Sequence, residues 1–251
     1  MGIYDREYFR EPSRAPWSNI RFWTITTWLI VINIAIFVID QLSGRFTGTL
    51  QLTDIGYFSY NSAIAHLQIW RFFTFQFLHA GIGHIFWNML GLYFFGPIVE
   101  SQLGRRRYLA FYLLCGMGGP LGYLFLYWLH LLNVGQNDML MGASAGIFGI
   151  LVAGAKVAPN LPMAIAFTPF RISLKNIALI FLGIAAFIVL MYGGSGAHNA
   201  GGEAAHLGGA LVGLILIFNE RWLDIFYLHR PRMRYGSRRA AFRDWRKDTN
   251  H

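Results

Sequence analysis

Four polar side chains stand inside stretches that are otherwise apolar. They are Ser144 in GASAGIFG (142–149), His206 in AHLGGALVG (205–213), and His84 with Asn88 in HAGIGHIFWN (79–88). Their types define one chemistry. A serine hydroxyl is a weak nucleophile until a base takes its proton, and histidine is the usual base. Acyl transfer also needs donors aimed at the oxyanion that develops. His84 and Asn88 are four residues apart, so on a helix they share one face, and both can donate hydrogen bonds. Singly, each residue has a plainer reading. A serine among glycines and alanines packs helices together, and a lone histidine in a membrane segment more often makes a structural hydrogen bond. The chemical reading requires elements that bring all four to one place.

Composition says what those elements are. The chain has 251 residues, 55% of them hydrophobic and only 13% charged, with a mean hydropathy of +0.41. A soluble domain carries roughly 25% charged residues. Apolar surface this extensive cannot be hidden inside a globule of this size, so the expectation is an all-α polytopic membrane protein. The single cysteine, Cys115, lies in an apolar run, which excludes a disulfide framework and a cysteine metal site. A zinc protease would need H-E-x-x-H. His79 and His84 are instead five apart, and no acidic cluster accompanies them, so neither metal nor cofactor is expected. The first 16 residues are polar and mixed in charge, unlike a cleavable signal peptide. MGIYDR lacks the Ser or Thr that N-myristoylation requires.

Six stretches approach the ~20 apolar residues a spanning helix needs. They are about 20–41, 83–101, 108–132, 140–157, 174–192 and 203–220. The third contains GMGGPLG, where Pro120 should kink the helix or loosen a turn. Lysine and arginine near the helix ends set the orientation. With the N-terminus inside, 19 of the 21 basic residues lie inside and only Arg45 and Arg71 outside. The expected topology is N-in and C-in. The organisation is then an N-terminal segment 1–16, a six-helix domain 17–220 and a basic tail 221–251. The net charge of +9 becomes mostly a topology signal, with the tail meeting lipid headgroups rather than nucleic acid.

In this topology the second, fourth and sixth spans all run from outside to inside. Ser144, His206, His84 and Asn88 then lie about one to five residues into their helices. At a rise of about 1.5 Å per residue they share the outer third of the bilayer. Gly142 with Gly146, and Gly209 with Gly213, form G-x-x-x-G pairs that permit close helix approach. If those faces meet, Ser144 and His206 come within hydrogen-bonding reach.

Through these motifs the chain resembles the rhomboid family of intramembrane serine proteases from about Trp70 to Gly213. GASAG matches the family's nucleophile motif at Ser144, AHLGGALVG its helix-six motif at His206, and HAGIGHIFWN its helix-two motif at His79, His84 and Asn88. Trp70–Arg71 in the first loop and Glu100 with Gly104 after the second span complete the pattern. The resemblance implies a Ser144–His206 dyad. It also implies an oxyanion site made by His84, Asn88 and the Ser144 N–H, and a structural hydrogen-bonding role for His79. An aromatic one turn after the nucleophile, here Phe148 where the family often has Tyr, is implied to pack on the histidine. No orienting carboxylate is expected, and Glu203, three residues before His206, is set aside because it lies near the helix mouth. Transmembrane proteins are the implied substrates and the lipid bilayer the medium. The fifth span and the loop 193–203 are the candidate gate and cap, and the first loop, 42–82, is expected to rest on the outer leaflet through Tyr57 and Trp70. The absence of a transit-like presequence and the charge bias suit a bacterial inner membrane.

Two other classes make different demands. A catalytically inactive relative that binds membrane proteins would be expected to lose Ser144 or His206, and both are present. A transporter would show inverted repeats and polar residues at the bilayer midplane, whereas here they gather near one side.

Overall fold

The structure, a computed structural model, describes residues 23–46, 51–164 and 170–226. The N-terminal segment 1–16, the start of the first span and the tail beyond 226 lie outside the described residues. Among the described residues, eight α-helices follow in order: α1 Ile25–Phe46, α2 Leu52–Gly56, α3 Arg71–Thr74, α4 Ile82–Leu103, α5 Arg105–Trp128, α6 Ser144–Val157, α7 Leu174–Tyr192 and α8 Ala200–Phe218. Strands β1 Pro162–Ala164 and β2 Arg171–Ser173 pair antiparallel between α6 and α7, with Met163 opposite Ile172. The molecule is a polytopic helical bundle. Five helices, α1, α4, α5, α7 and α8, are long and apolar enough to cross a membrane. Their outer faces carry exposed Ile, Leu and Phe side chains, as surfaces solvated by lipid should.

α5, α6 and α8 form the centre, α4 packs on α6 with α1 outside it, and α7 covers α6 and α8. Small residues draw the central helices together. A Cβ on Gly213 of α8 would stand 2.6 Å from the Cα of Gly149 on α6, and one on Gly209 would collide with the backbone of Ala145. The expected partners on α6 were Gly142 and Gly146, and the structure replaces them with Ala145 and Gly149. The reason is where the helix starts. α6 begins at Ser144, so Gly142 is not on its surface lattice, and Gly146 turns toward Tyr112 of α5. The fourth span is accordingly 14 residues, about 21 Å long, short of a ~30 Å hydrocarbon core. Non-helical backbone at membrane depth survives where it lines a cavity, and residues 139–142 do so.

The third span also differs. α5 opens at Arg105, and Pro120, buried, interrupts nothing, because the helix runs through it to Trp128. Between α4 and α5 the chain turns at Gly104, whose φ of +75° suits glycine. Glu100, one turn earlier, is buried and reaches across to the start of α1. Its carboxylate accepts the N–H groups of Ile25 at 2.7 Å and Thr26 at 2.9 Å, and the Thr26 hydroxyl at 2.8 Å. First-turn N–H groups of a helix have no intrahelical partner, so Glu100 satisfies donors that lipid could not.

Arg71 does the corresponding work in the first loop. It is buried, donating to the Tyr57 carbonyl at 2.6 Å, the Asp54 carbonyl at 2.9 Å and Gln68 Oε1 at 2.6 Å, and its guanidinium lies 4.8 Å from the Tyr57 ring centroid. Trp70 beside it is exposed and donates to the Ile55 carbonyl at 3.0 Å. After α8, a short turn Glu220–Phe226 folds back on α5. Its Leu223 is buried, and Asp224 pairs with Arg107 at 2.7 Å.

Candidate active site

Ser144 is the first residue of α6, and His206 sits two turns into α8. The glycine contact between those helices sets the distance between them. Ser144 Oγ is 2.8 Å from His206 Nε2, although 62 positions separate the two in sequence. Phe148, one turn along α6, lies flat on the imidazole with 4.2 Å between centroids and 10° between planes. The other side of Phe148 meets Phe181 of α7 edge-on, at 6.2 Å.

Glu203 is the difference from expectation. Its Oε2 is 2.8 Å from His206 Nδ1. The side chain does not point away at the helix mouth; spacing of three residues puts it on the same face of α8 as the imidazole. That spacing is legible in the sequence, and what weighs against it there is the dyad that the resemblance implies together with the place of Glu203 near the helix end.

The opposite wall comes from α4. Asn88 is buried, and its Nδ2 has no hydrogen-bond partner in the protein. A buried donor without an acceptor is costly, and this one belongs to a residue that lines the cavity described below. His84 Nδ1 receives the Ala80 N–H at 3.4 Å. The hydrogen-bond pattern therefore assigns the proton of neutral His84 to Nε2, the nitrogen facing Gly142. A Cβ at Gly142 would come within 2.7 Å of that nitrogen, and the residue's φ of +123° also calls for glycine. Gly142 thus admits the His84 ring to the N-terminus of α6, a different task from the helix packing expected of it. Ala143 caps α6 without a side-chain hydrogen bond. The N–H of Ser144 is among the first-turn donors that a helix leaves unpaired, at the positive end of its dipole.

His79 stands behind His84, with ring centroids 5.1 Å apart. It is buried in the turn before α4, and neither ring nitrogen has a partner of full hydrogen-bond geometry. Burial first, then the neighbouring His84, push His79 down to about 3 against a weaker opposing pull from the Phe77 backbone. His79 is therefore a neutral packing ring. Trp70, Arg71 and Glu100 do not line the cavity; they hold the loop and α1 as described.

Ser144, His206, His84 and Asn88 open on one cavity of about 610 Å³. Phe75, Trp87, Met139, Met141 and Asn199 also line it, and no motif singled these out. Among the described residues no group of His, Cys, Asp and Glu is arranged to hold a metal ion.

An apolar multi-pass bundle with a hydrogen-bonded serine and histidine set into its centre, beside unpaired donors, defines a class of membrane protein. The chain belongs to the rhomboid family: the Rhomboid domain matches residues 66–222. It is similar to the rhomboid protease GluP of Bacillus subtilis, 29% identical over 76% of this chain and 33% of that protein. It is also similar to RHOMBOID-like protein 1 of Arabidopsis thaliana, 28% identical over 84% of this chain and 55% of that protein. RHOMBOID-like protein 7 of the same plant is 30% identical over 71% of this chain and 51% of that protein. The chain spans between a third and about half the length of these relatives. Family membership carries the coarse functional class, an intramembrane protease or rhomboid-like protein.

Proposed function

We propose that the chain is a serine endopeptidase that cleaves transmembrane segments of membrane proteins within or beside the bilayer. One observation carries the reading: the 2.8 Å contact of Ser144 Oγ with His206 Nε2, at a cavity where Asn88 Nδ2 has no protein partner. The family and the name of GluP as a protease support it.

In this reading Ser144 Oγ bonds to a substrate carbonyl carbon as its proton passes to His206 Nε2. The carbonyl π pair moves onto oxygen, and the oxyanion meets Asn88 Nδ2, His84 Nε2–H and the Ser144 N–H. When the intermediate collapses, the C–N bond breaks and the proton on Nε2 goes to the leaving amine. Water then attacks the acyl carbon as its proton passes to His206 Nε2; the C–Oγ bond breaks, His206 returns that proton to Ser144 Oγ, and the carboxyl product leaves. We assign this chemistry to 17–220, inserted N-in and C-in as the basic residues favour, between the N-terminal segment 1–16 and the tail 221–251. The charge bias suits a bacterial inner membrane, while the family includes proteins named for the mitochondrion and the chloroplast.

The test uses purified full-length protein in micelles or proteoliposomes. A fluorophosphonate probe and a panel of single-span substrates are offered, and cleavage sites are mapped by mass. Labelling and cleavage are expected in the natural protein and lost in Ser144→Ala, with the fold retained. Cleavage that survives in Ser144→Ala overturns the assignment. A natural protein inert to both probe and substrates would favour a catalytically inactive relative that binds membrane proteins.

A further inference from the structure

The family resemblance implies a two-residue machine, yet here a carboxylate holds the far nitrogen of the histidine. Glu203 Oε2 is 2.8 Å from His206 Nδ1, both side chains are 17% exposed, and His206 Nε2 is at the same time 2.8 Å from Ser144 Oγ. The two contacts lie on opposite nitrogens of one ring.

We infer that Glu203 is a positioning residue that completes a Ser144–His206–Glu203 triad. The inference rests on the protease reading above and deepens it. Neutral histidine has two tautomers. For Nε2 to accept the Ser144 proton, the resting proton must be on Nδ1, and an N–H there needs an acceptor. Glu203 supplies it. The carboxylate also faces the imidazolium that forms when Ser144 attacks, so charge develops next to a fixed opposite charge rather than in an apolar helix interface.

The surroundings show why this residue can do so. From α4 the nearby titratable group is His84, with His79 behind it. α6 offers Ser144 and the apolar face of Phe148, while α7 sets Phe181 against Phe148 and packs Ile188 and Val189 with the apolar start of α8. α5 turns Gly118, Gly119 and Gly122 toward α8. Among the described residues no other carboxylate pairs with His206. Glu203 lies in the first turn of α8, where the helix dipole favours an anion. Phe148 fixes the tilt of the imidazole by lying on its face, and Glu203 fixes its rotation by holding Nδ1. Neither contact does both.

A plainer role, stabilising the first turn of α8, predicts something different. It would lower the fraction of folded protein and leave each folded molecule equally active. The test compares full-length natural protein with Glu203→Ala, Glu203→Gln and Glu203→Asp. It measures kcat and KM on a single-span substrate, the rate and stoichiometry of fluorophosphonate labelling, and the melting temperature. Loss of the carboxylate from a buried soluble triad lowers kcat by about 10⁴. The partial exposure of Glu203 lets water substitute in part, so the expected loss for Glu203→Ala is on the order of 10–100-fold. KM should stay within about twofold, and the labelling rate should fall in parallel. Glu203→Gln should fall with Glu203→Ala, because an amide can present its NH₂ to Nδ1 and hold the wrong tautomer. Glu203→Asp should recover much of the rate. The inference is overturned if Glu203→Ala keeps kcat within twofold, if only KM changes, or if its lower activity equals its lower labelling stoichiometry. A natural protein without cleavage or labelling overturns the protease reading and this inference together. Activity in the natural protein with an indifferent Glu203→Ala overturns this inference alone.

Discussion

Gly213 of α8 faces the backbone of Gly149 of α6 with no room for a side chain between them: a Cβ would stand 2.6 Å from the Gly149 Cα and 2.8 Å from its carbonyl oxygen. Backbone cannot rotate aside as a side chain can, so any larger residue must push the helices apart. Ser144 and His206 lie at one end of the same contact. Gly213→Val is expected to cost about 1–3 kcal/mol by overpacking and to slow probe labelling of Ser144 more than tenfold. Gly183→Ala on α7, where a Cβ meets nothing within 4 Å, is the matched control. It should be neutral or slightly stabilising. Melting temperature and labelling rate, measured on the same samples, decide the matter. Equal behaviour of the two variants would contradict the packing argument.

Asn88 has a buried amide donor with no protein partner. Its removal therefore costs the fold no hydrogen bond from Nδ2 and deprives an oxyanion of a donor. Asn88→Ala should lower kcat by about 10²-fold with KM and melting temperature little changed. Asn88→Asp, which presents acceptors where a donor is needed, should be worse. A loss confined to KM would show that Asn88 contacts the substrate elsewhere.

Phe148 and His206 stack at 4.2 Å. Phe148→Ala should free the imidazole and reduce kcat by roughly tenfold, since a loosened base spends less time in line with its nucleophile. Phe148→Tyr keeps the ring and should stay near the natural rate. An unchanged kcat in Phe148→Ala would show that the remaining contacts of His206 suffice.

His79 is held at about 3 in the native state against about 6.5 when exposed. Between those values the unfolded chain binds a proton that the native protein refuses. Stability must therefore fall as pH drops from about 6.5 toward 3, by at most ~1.4 kcal/mol per pH unit from this residue. Thermal unfolding in micelles across that range should show a shallower pH slope for His79→Phe than for the natural protein. Parallel slopes would remove His79 as the source.

Much of the scaffold is legible in the sequence because its cause is local. α7 coincides with the apolar stretch 174–192, and α4 departs from 83–101 by one or two residues at each end. The fourth span misleads for an equally physical reason. Apolar composition continues across Gly142, but the backbone there has φ of +123°, and composition does not record a dihedral angle. The consequence spreads: once α6 starts at Ser144, the facing stripe is Ala145 and Gly149, and Gly142 is left to admit His84.

By itself, the sequence determined that the chain is a helical membrane protein, which follows from hydropathy, and singled out Ser144, His206, His84 and Asn88 by residue type and spacing. The tertiary structure alone decided which atoms meet. It brought Ser144 Oγ to His206 Nε2 through a contact between glycines on two helices, and it turned Glu203 onto Nδ1. Spacing permits such contacts, but helix starting points, close backbone approach and side-chain direction select them, and those are properties of the packed bundle.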